Sequence, residues 1–460
     1  MRALVALFAA TSIGWAQYID QVPQGDPLYD YFASAVRTPQ ALRQTPLTES
    51  EMRRPLSRVR ANPDHGSAFK VARWRLGLDN TLPEGLFGAT IAVMARGASA
   101  ETDFETANGS YRATLFGTVA DNHLIEVGIS DKRRLEPSSS KAFDTLETAR
   151  LIGRNGDLEY EAGRGFLRWD AGFSGGLVVG DGAPPVEYAR FGLPVYIPLI
   201  GRWELDQFFS TYREGGERHY WMGRRLTRDL SSRWQISLTE TAKALELPNG
   251  FLSQILPYYL YQYWMSDQMV DSGWINYFAQ IGMHYRYGTD SLAYLYLAAD
   301  DVQAPDFLRR QRGHTPRKMG AVLGVRTRDL LPNTRITVEG VFTDGTSNGG
   351  FYGTAGHRSE YAYFREGLPM GHMIGANRNG VLARANWSKG PYRASIQAFS
   401  TAQTNSSTPV VIGTRWNIET GFVASDGLLI SLRYLAWNET RANGQPVKRD
   451  GVQLDIEYRY

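Results

Sequence analysis

The C-terminal segment alternates without interruption. Val452, Leu454, Ile456, Tyr458 and Tyr460 are apolar or aromatic, and Gln453, Asp455, Glu457 and Arg459 between them are polar or charged. A period of two is a β-strand with one apolar and one wet face. A tilted strand needs about nine to eleven residues to cross a bilayer. A soluble sandwich strand would show the same pattern. A chain that ends on it, with Tyr460 last, is expected to be an outer-membrane barrel whose final strand closes against its first. The C-terminus then lies on the periplasmic side, with Tyr458 and Tyr460 in the periplasmic aromatic girdle and the turn near Asn443-Gly444 outside the cell.

The other end fits an exported protein. Met1-Arg2 is a short charged start, Ala3 to Ile13 is an apolar run, and Gly14-Trp15-Ala16 precedes Gln17. This reads as a signal peptide over 1–16. No later segment approaches the roughly eighteen uninterrupted apolar residues of a membrane-spanning helix. The 460 residues include no Cys, so no disulfide framework is possible. A mean hydropathy of −0.34 argues against a helical membrane protein and suits a barrel, where only alternate residues meet lipid. The 25 Tyr and 11 Trp are what two interfacial girdles require. Fifty basic against 47 acidic residues, with no basic block, argues against a nucleic-acid partner.

Residues 17–84 read as a small helical periplasmic subdomain. Asp26-Pro27 is an N-cap with Pro at the first helical position, and Leu28, Phe32, Ala35 and Val36 share one face. Thr48-Glu49-Ser50-Glu51 is a capping box flanked by Leu47 and Met52, and Pro55 is expected to end or kink that helix early. A third helix is expected over about Ser67 to Leu76, with Phe69, Ala72 and Leu76 on one side. These helices form either an ordinary soluble cap or a plug beneath the barrel.

From about Gly85 the period is two. Tyr111, Ala113 and Leu115 alternate with Arg112 and Thr114; Ile336, Val338 and Phe342 face away from Arg335, Thr337 and Glu339; Leu428, Ile430, Leu432 and Tyr434 flank Ser431 and Arg433. Arg and Glu recur on the polar face, which favours a polar lumen and a lipid-facing apolar band over a soluble core. Asn155-Gly156-Asp157, Thr343-Asp344-Gly345 and Asn443-Gly444 are turn clusters. Residues 85–460 are thus expected to form an all-β antiparallel barrel of about 18 strands, an even number as single-chain barrels have.

No catalytic or metal constellation stands out. Gly172-Phe173-Ser174-Gly175-Gly176 matches G-x-S-x-G, but a nucleophile elbow needs a helix after the Ser, and Leu177 to Gly182 reads as strand and turn. A barrel hydrolase would need His and Asp or Glu to meet Ser174 in space. His357-Arg358-Ser359-Glu360 reads as loop rather than metal site. Gly163 and Gly165 lack a dinucleotide-binding frame. No enzyme activity, cofactor or metal is expected.

Two segments escape the strand period: Trp169 to Pro185 with Ile200 to Trp203, and Arg358 to Gly371. Both mix aromatic rings with Arg, Asp and Glu among Gly and Pro. Rings that stack on sugar faces and charged forks that bind hydroxyls or carboxylates make such a mix a carbohydrate site. Packed loops and lumen ion pairs would use the same residues. The candidate contacts are Arg358, Glu360, Tyr361, Tyr363, Arg365, Glu366 and His372, with Trp169, Asp170 and Asp181 second.

These segments, in this order, resemble the Wzi family of capsule assembly outer-membrane proteins. Tyr361-Ala362-Tyr363-Phe364-Arg365-Glu366-Gly367-Leu368-Pro369-Met370-Gly371-His372 is similar to the family's Tyr-rich, Gly-x-Pro-Leu-Gly stretch. Trp169 to Pro185 resembles its Trp-and-Gly segment, and Leu199 to Trp203 its Leu-Gly-Pro-Trp hairpin, with Arg202 where Pro is usual. Gly25 to Tyr29 and Pro46 to Met52 are similar to its first helices. The resemblance implies an 18-stranded barrel with a helical N-terminal plug, and extracellular loops that close the mouth and hold capsular polysaccharide, without catalysis. A porin-like channel for sugars or other small solutes is the alternative of a different class. As an outer-membrane barrel the chain is expected to meet lipid and lipopolysaccharide, to be inserted by the barrel assembly machinery, and to be a monomer.

Overall fold

The computed structural model describes residues 67–98, 108–130, 146–180, 184–245, 275–288, 291–300, 318–344, 351–352, 362–365, 368–372, 374–403, 412–425, 428–440 and 446–459, with Leu28, Tyr31, Phe32, Met52, Leu56 and Ser57 before them. The signal-peptide reading over 1–16 and Tyr460 lie outside the described residues.

The chain runs through β1 (Phe87–Ala98), β2 (Asn108–Ala120), β3 (His123–Ser130), β4 (Leu146–Asn155), β5 (Leu158–Gly165), β6 (Val186–Ile197) and β7 (Gly201–Glu214). It continues through β8 (Glu217–Asp229), β9 (Trp234–Ala244), β10 (Ile275–Arg286), β11 (Leu292–Asp300), β12 (Met319–Thr327) and β13 (Thr334–Thr343). A short hairpin follows, β14 (Phe364–Arg365) with β15 (Leu368–Pro369), and then β16 (Arg378–Lys389), β17 (Tyr392–Gln403), β18 (Ile412–Ser425), β19 (Leu428–Thr440) and β20 (Pro446–Arg459). Apart from the hairpin, all strands form one 18-stranded sheet. Each pairs antiparallel with the next in sequence, and β20 pairs with β1 from Ala92↔Arg459 to Ala98↔Gln453. The sheet is therefore a closed meander with no free edge, the one β-architecture whose backbone is satisfied in lipid.

The two faces of each strand are inverted relative to a soluble protein. Val452, Leu454, Ile456 and Tyr458 are exposed, whereas Gln453 and Asp455 are buried. Leu115, Ile125, Val127, Leu323, Val338, Ile396 and Ile418 are likewise exposed, and Thr114, Glu126, Thr337, Glu339 and Glu419 point inward and are buried. An apolar exterior on a closed barrel of this size is the surface of an outer-membrane protein. No helix among the described residues is long and apolar enough to cross a membrane.

Connections alternate in length. β2–β3 turns at Asp121-Asn122, β4–β5 at Gly156-Asp157 and β6–β7 at Pro198 to Ile200, while β3–β4, β5–β6, β9–β10, β11–β12 and β13–β16 are joined by long segments. At the long-loop end the β7–β8 turn at Gly215-Gly216 and the β19–β20 connection (441–445) are short exceptions. Long loops face outward in such barrels, which puts the short turns and both ends of the sheet on the periplasmic side.

The N-terminal helical residues pack inside the wall of β2 to β4. Helix α1 (Ser67–Arg75) carries Arg73 and Arg75 in its last turn, favourable at the negative end of the helix dipole, and stops at Gly77 in the left-handed region with φ 64°. Phe69, Ala72, Trp74 and Leu76 form one cluster with Leu28, Tyr31, Phe32, Met52, Leu56, Phe116 and Leu124. Met52, Leu56 and Ser57 are helical, while Pro55, where the sequence suggested an end or a kink, lies outside the described residues. Arg75 reaches Glu126 on the wall at 3.3 Å, and the Arg154 guanidinium lies 5.3 Å from the Trp74 ring centre. Trp74→Ala should cost about 3–5 kcal/mol of this docking. The expected readout is protease sensitivity of the N-terminal residues in a barrel that keeps its heat-dependent gel mobility.

Candidate functional site

The other side of the lumen is filled by two loops, one between β5 and β6 (166–185) and one between β13 and β16 (344–377). Leu167, Trp169, Ala171, Leu177, Val178 and Val179 of the first loop share one buried cluster with Phe351, Tyr352, Tyr363, Met370 and Ile374 of the second. Wall residues Phe208, Tyr212, Trp221, Phe278, Tyr294 and Tyr296 complete it. The wall makes room with glycines: a Cβ at Gly223 would lie 2.4 Å from the Phe208 ring, and one at Gly324 would lie 2.2 Å from that of Tyr294.

Polar groups of the wall fix the first loop. The Trp169 Nε1–H donates to Asp206 Oδ2 (2.8 Å), and Arg190 grips the same carboxylate through two bonds of 2.8 Å. Arg225 adds a contact at 3.3 Å, its guanidinium 5.1 Å from the Trp169 ring centre. Asp170 has φ 82°, unusual for a non-glycine residue. Its carboxylate accepts from Gln280 Nε2 (3.0 and 3.1 Å) and the Leu177 amide (3.4 Å), which offsets that strain. The Ala171 amide donates to the Tyr296 hydroxyl at 2.6 Å.

Glu339 is the densest anchor. Its buried carboxylate accepts from the Phe173 amide (2.6 Å), the Ser174 amide (3.0 Å), the Tyr294 hydroxyl (2.5 Å) and the Ser174 hydroxyl. Consecutive amides of a tight turn form an anion-binding nest, and here the barrel wall supplies the anion.

The two loops also hold each other. The Gly180 amide donates to the Met370 carbonyl (2.9 Å), and the Tyr363 hydroxyl donates to the Val178 carbonyl (2.8 Å) while accepting from Trp221 Nε1 (2.5 Å). The Tyr352 hydroxyl donates to the Leu177 carbonyl and accepts from the His372 amide (2.8 Å). Burial holds the Tyr352 phenol well above its ordinary pKa, so it stays a donor. Arg365 donates to the Pro185 carbonyl (2.7 Å) and covers the Tyr212 ring at 4.9 Å. Lys243 ties down the carbonyls of Ala362 (2.8 Å) and Phe364 (2.9 Å).

Ser174 does meet a His and a Glu. His372 Nε2 lies 2.7 Å from the Ser174 Oγ. However, His372 Nδ1 accepts the Ile374 amide at 3.1 Å, so the neutral ring carries its proton on Nε2 and donates to the serine. The serine in turn donates to Glu339. A general base needs Nε2 free to accept the serine proton and an acid on Nδ1; both roles are reversed here. With Ser174 7% and His372 0% exposed, a substrate has no approach either.

The candidate sugar contacts divide into two groups. Tyr363, Arg365, His372, Trp169 and Asp170 come together, but at 0–6% exposure they support the loops from below. Arg358, Glu360, Tyr361, Glu366 and Asp181 lie outside the described residues. Sequence reading missed Glu339, Asp206 and Gln280. Each is a polar residue on a strand's inward face, and nothing in a period of two distinguishes an anchor from its neighbours.

No family model and no curated protein matches the sequence. Among solved structures, the chain is similar to Wzi of Escherichia coli, described as an outer membrane protein involved in group 1 capsule assembly and a carbohydrate-binding β-barrel. The TM-score is 0.59 at 14% identity, covering 95% of this chain and 98% of that one. Pseudomonas aeruginosa OccK10 (OpdN) gives 0.46 at 10% identity over 81% of this chain and 99% of that one, and OprD of the same organism 0.44 at 10% over 81% and 95%. The chain thus has a Wzi-like fold, that of an outer-membrane barrel.

Proposed function

We propose that this protein is a non-catalytic outer-membrane barrel that binds capsular or other surface polysaccharide and holds it on the cell. The observation that carries the reading is the loop floor: two long outer loops, pinned to the wall and to each other, form a platform across the lumen. A binding surface needs its loops held in one shape before the ligand arrives. The carbohydrate binding described for the E. coli barrel of the same fold supports the same reading. Tyr363, Arg365, His372, Trp169 and Asp170 position the loops in this proposal. Direct contact falls to the 358–366 stretch, through Arg358, Glu360, Tyr361 and Glu366, and to Asp181. The N-terminal unit (17–84) acts as the periplasmic plug of the barrel (85–460).

Glycan binding by the purified barrel tests this. Tyr363→Ala removes a fully buried ring and its two hydrogen bonds, a loss of about 3–5 kcal/mol at the floor. Binding of surface polysaccharide should fall at least about tenfold, and Arg365→Ala should act in the same direction. Unchanged binding in both variants removes the loop assignment. A wild-type barrel that binds no surface glycan but conducts ions in planar bilayers is a solute channel instead.

A further inference from the structure

Among the described residues, the lumen beside β16 to β19 is only partly filled. Inward residues of β16 to β19 form successive rows across neighbouring strands. The outermost aligns Leu382, Phe399, Arg415 and Trp437; the next aligns Arg384, Gln397, Asn417 and Leu435; a third aligns Asn386, Ser395, Glu419 and Arg433. Their intervening neighbours Val381, Ile396, Trp416, Ile418 and Tyr434 face lipid and are exposed, which fixes these rows on the lumen side. Phe399, Arg415, Trp437, Arg384, Gln397 and Asn417 are only half-buried, as are Asn386 and Ser395, whereas Leu382 at the β16 end and Glu419 and Arg433 lower on β18 and β19 are 3%, 4% and 7% exposed. The upper rows of β17 to β19, with Arg384 of β16, therefore line a partly open cup. Its periplasmic floor is sealed by ion pairs: Arg393 with Glu419, and Arg433 with Glu419 (3.7 Å) and Asp455 (2.9 Å).

The chemistry of the cup is specific. The Arg415 guanidinium stacks on Trp437, 4.4 Å from the ring centre. Arg384 lies over Phe173 at the tip of the first loop (5.0 Å) and donates to Asn386 (2.8 Å). Among the described residues neither arginine makes an ion pair, although every cation on the floor does. The Asn417 Oδ1 between them is buried and has no hydrogen-bond partner among the described residues. Strands lie about 4.8 Å apart, so the side chains of β16 and β18 stand roughly 10 Å apart, room for one pyranose ring.

We propose that this sector binds a sugar residue bearing a carboxylate. Arg415 and Arg384 take the carboxylate, Trp437 and Phe399 present ring faces to the sugar's C–H groups, and Asn417 and Gln397 pair with its hydroxyls. The proposal rests on the polysaccharide-binding reading for its ligand class, but it uses a different wall of the barrel from the loop floor.

Calorimetric titration of the full-length barrel in detergent tests it, with a galacturonate oligosaccharide, free glucuronate and a neutral maltooligosaccharide as probes. The expected result is preference for the acidic probes. Arg415→Gln should weaken acidic binding by about tenfold and leave the neutral probe unchanged, and Trp437→Ala should weaken both. Heat-dependent gel mobility of each variant reports folding. An oligosaccharide bound more tightly than free glucuronate marks a polymer site, and equal binding marks a site for a single sugar acid; both support the carboxylate assignment. Equal affinity for acidic and neutral probes, or unchanged acidic binding in Arg415→Gln, overturns it. Polysaccharide retention by cells separates the two readings. Retention without uronate binding overturns the cup and leaves the loop platform; Arg415-dependent uronate binding without retention does the reverse.

Discussion

Glu339→Ala should raise the conductance of the barrel above that of wild type. The carboxylate accepts four hydrogen bonds, two from consecutive amides of the first loop. Removing it strands buried donors at a cost of about 1–3 kcal/mol each. The Phe173-Ser174 turn should leave the wall, opening the lumen between it and β13. Planar-bilayer recording should show larger currents than wild type, and protease should cut within 166–185. Glu339→Gln should fall between, because its amide N–H2 group would face amide donors. Unchanged conductance together with unchanged protease resistance in the Ala variant would show that the loop is held elsewhere.

Gly180→Ala and Gly371→Ala should part the two loops. A Cβ at Gly180 would lie 2.2 Å from the Gly371 carbonyl oxygen, and one at Gly371 would lie 2.3 Å from that of Leu177. Both obstacles are backbone, so no side chain can swing away. Overpacking costs about 1–3 kcal/mol where neighbours can adjust, and more where they cannot. Each variant should lose glycan binding and gain protease sensitivity in both loops. The double variant should be little worse than either single one, since loops already parted no longer clash. Gly340→Ala is the control: a Cβ there meets nothing within 4 Å, and the variant should behave as wild type.

The barrel was legible because the bilayer enforces a rule on every strand. Val452 to Tyr458 must alternate to present one face to lipid, and the same constraint repeats in β2, β13 and β19. Helix α1 was legible from Phe69, Ala72 and Leu76 for the analogous reason, an apolar stripe at helical spacing. The loops obey no such repeat. Tyr363 and Trp169 look in sequence like rings offered to a sugar, yet both are buried where the two loops pack on the wall. An aromatic residue among Gly and Pro has the same composition whether it faces solvent or a core. Ser174 shows the limit more sharply, since a match to a catalytic motif proved to be a turn whose amides cradle Glu339. What decides between those roles is a partner 165 positions along the chain, and local sequence carries no trace of it. Arg415 and Trp437 were hidden differently: they fit the strand pattern, and only the register of β18 with β19 sets one upon the other.

The floor's attachment has a mechanical side. If the barrel holds a polymer at the cell surface as proposed, the pull acts on its outer loops. Here the first loop is tied at Trp169, Asp170, Ala171, Phe173 and Ser174 to residues on β7, β10, β11 and β13. Ties set side by side share a load instead of failing one after another, as the teeth of a zipper do. The barrel wall, itself a closed ring of hydrogen-bonded strands, spreads that load around its circumference. Rupture then requires several buried bonds to break together, so the grip can outlast a force that would peel away a loop anchored at one point.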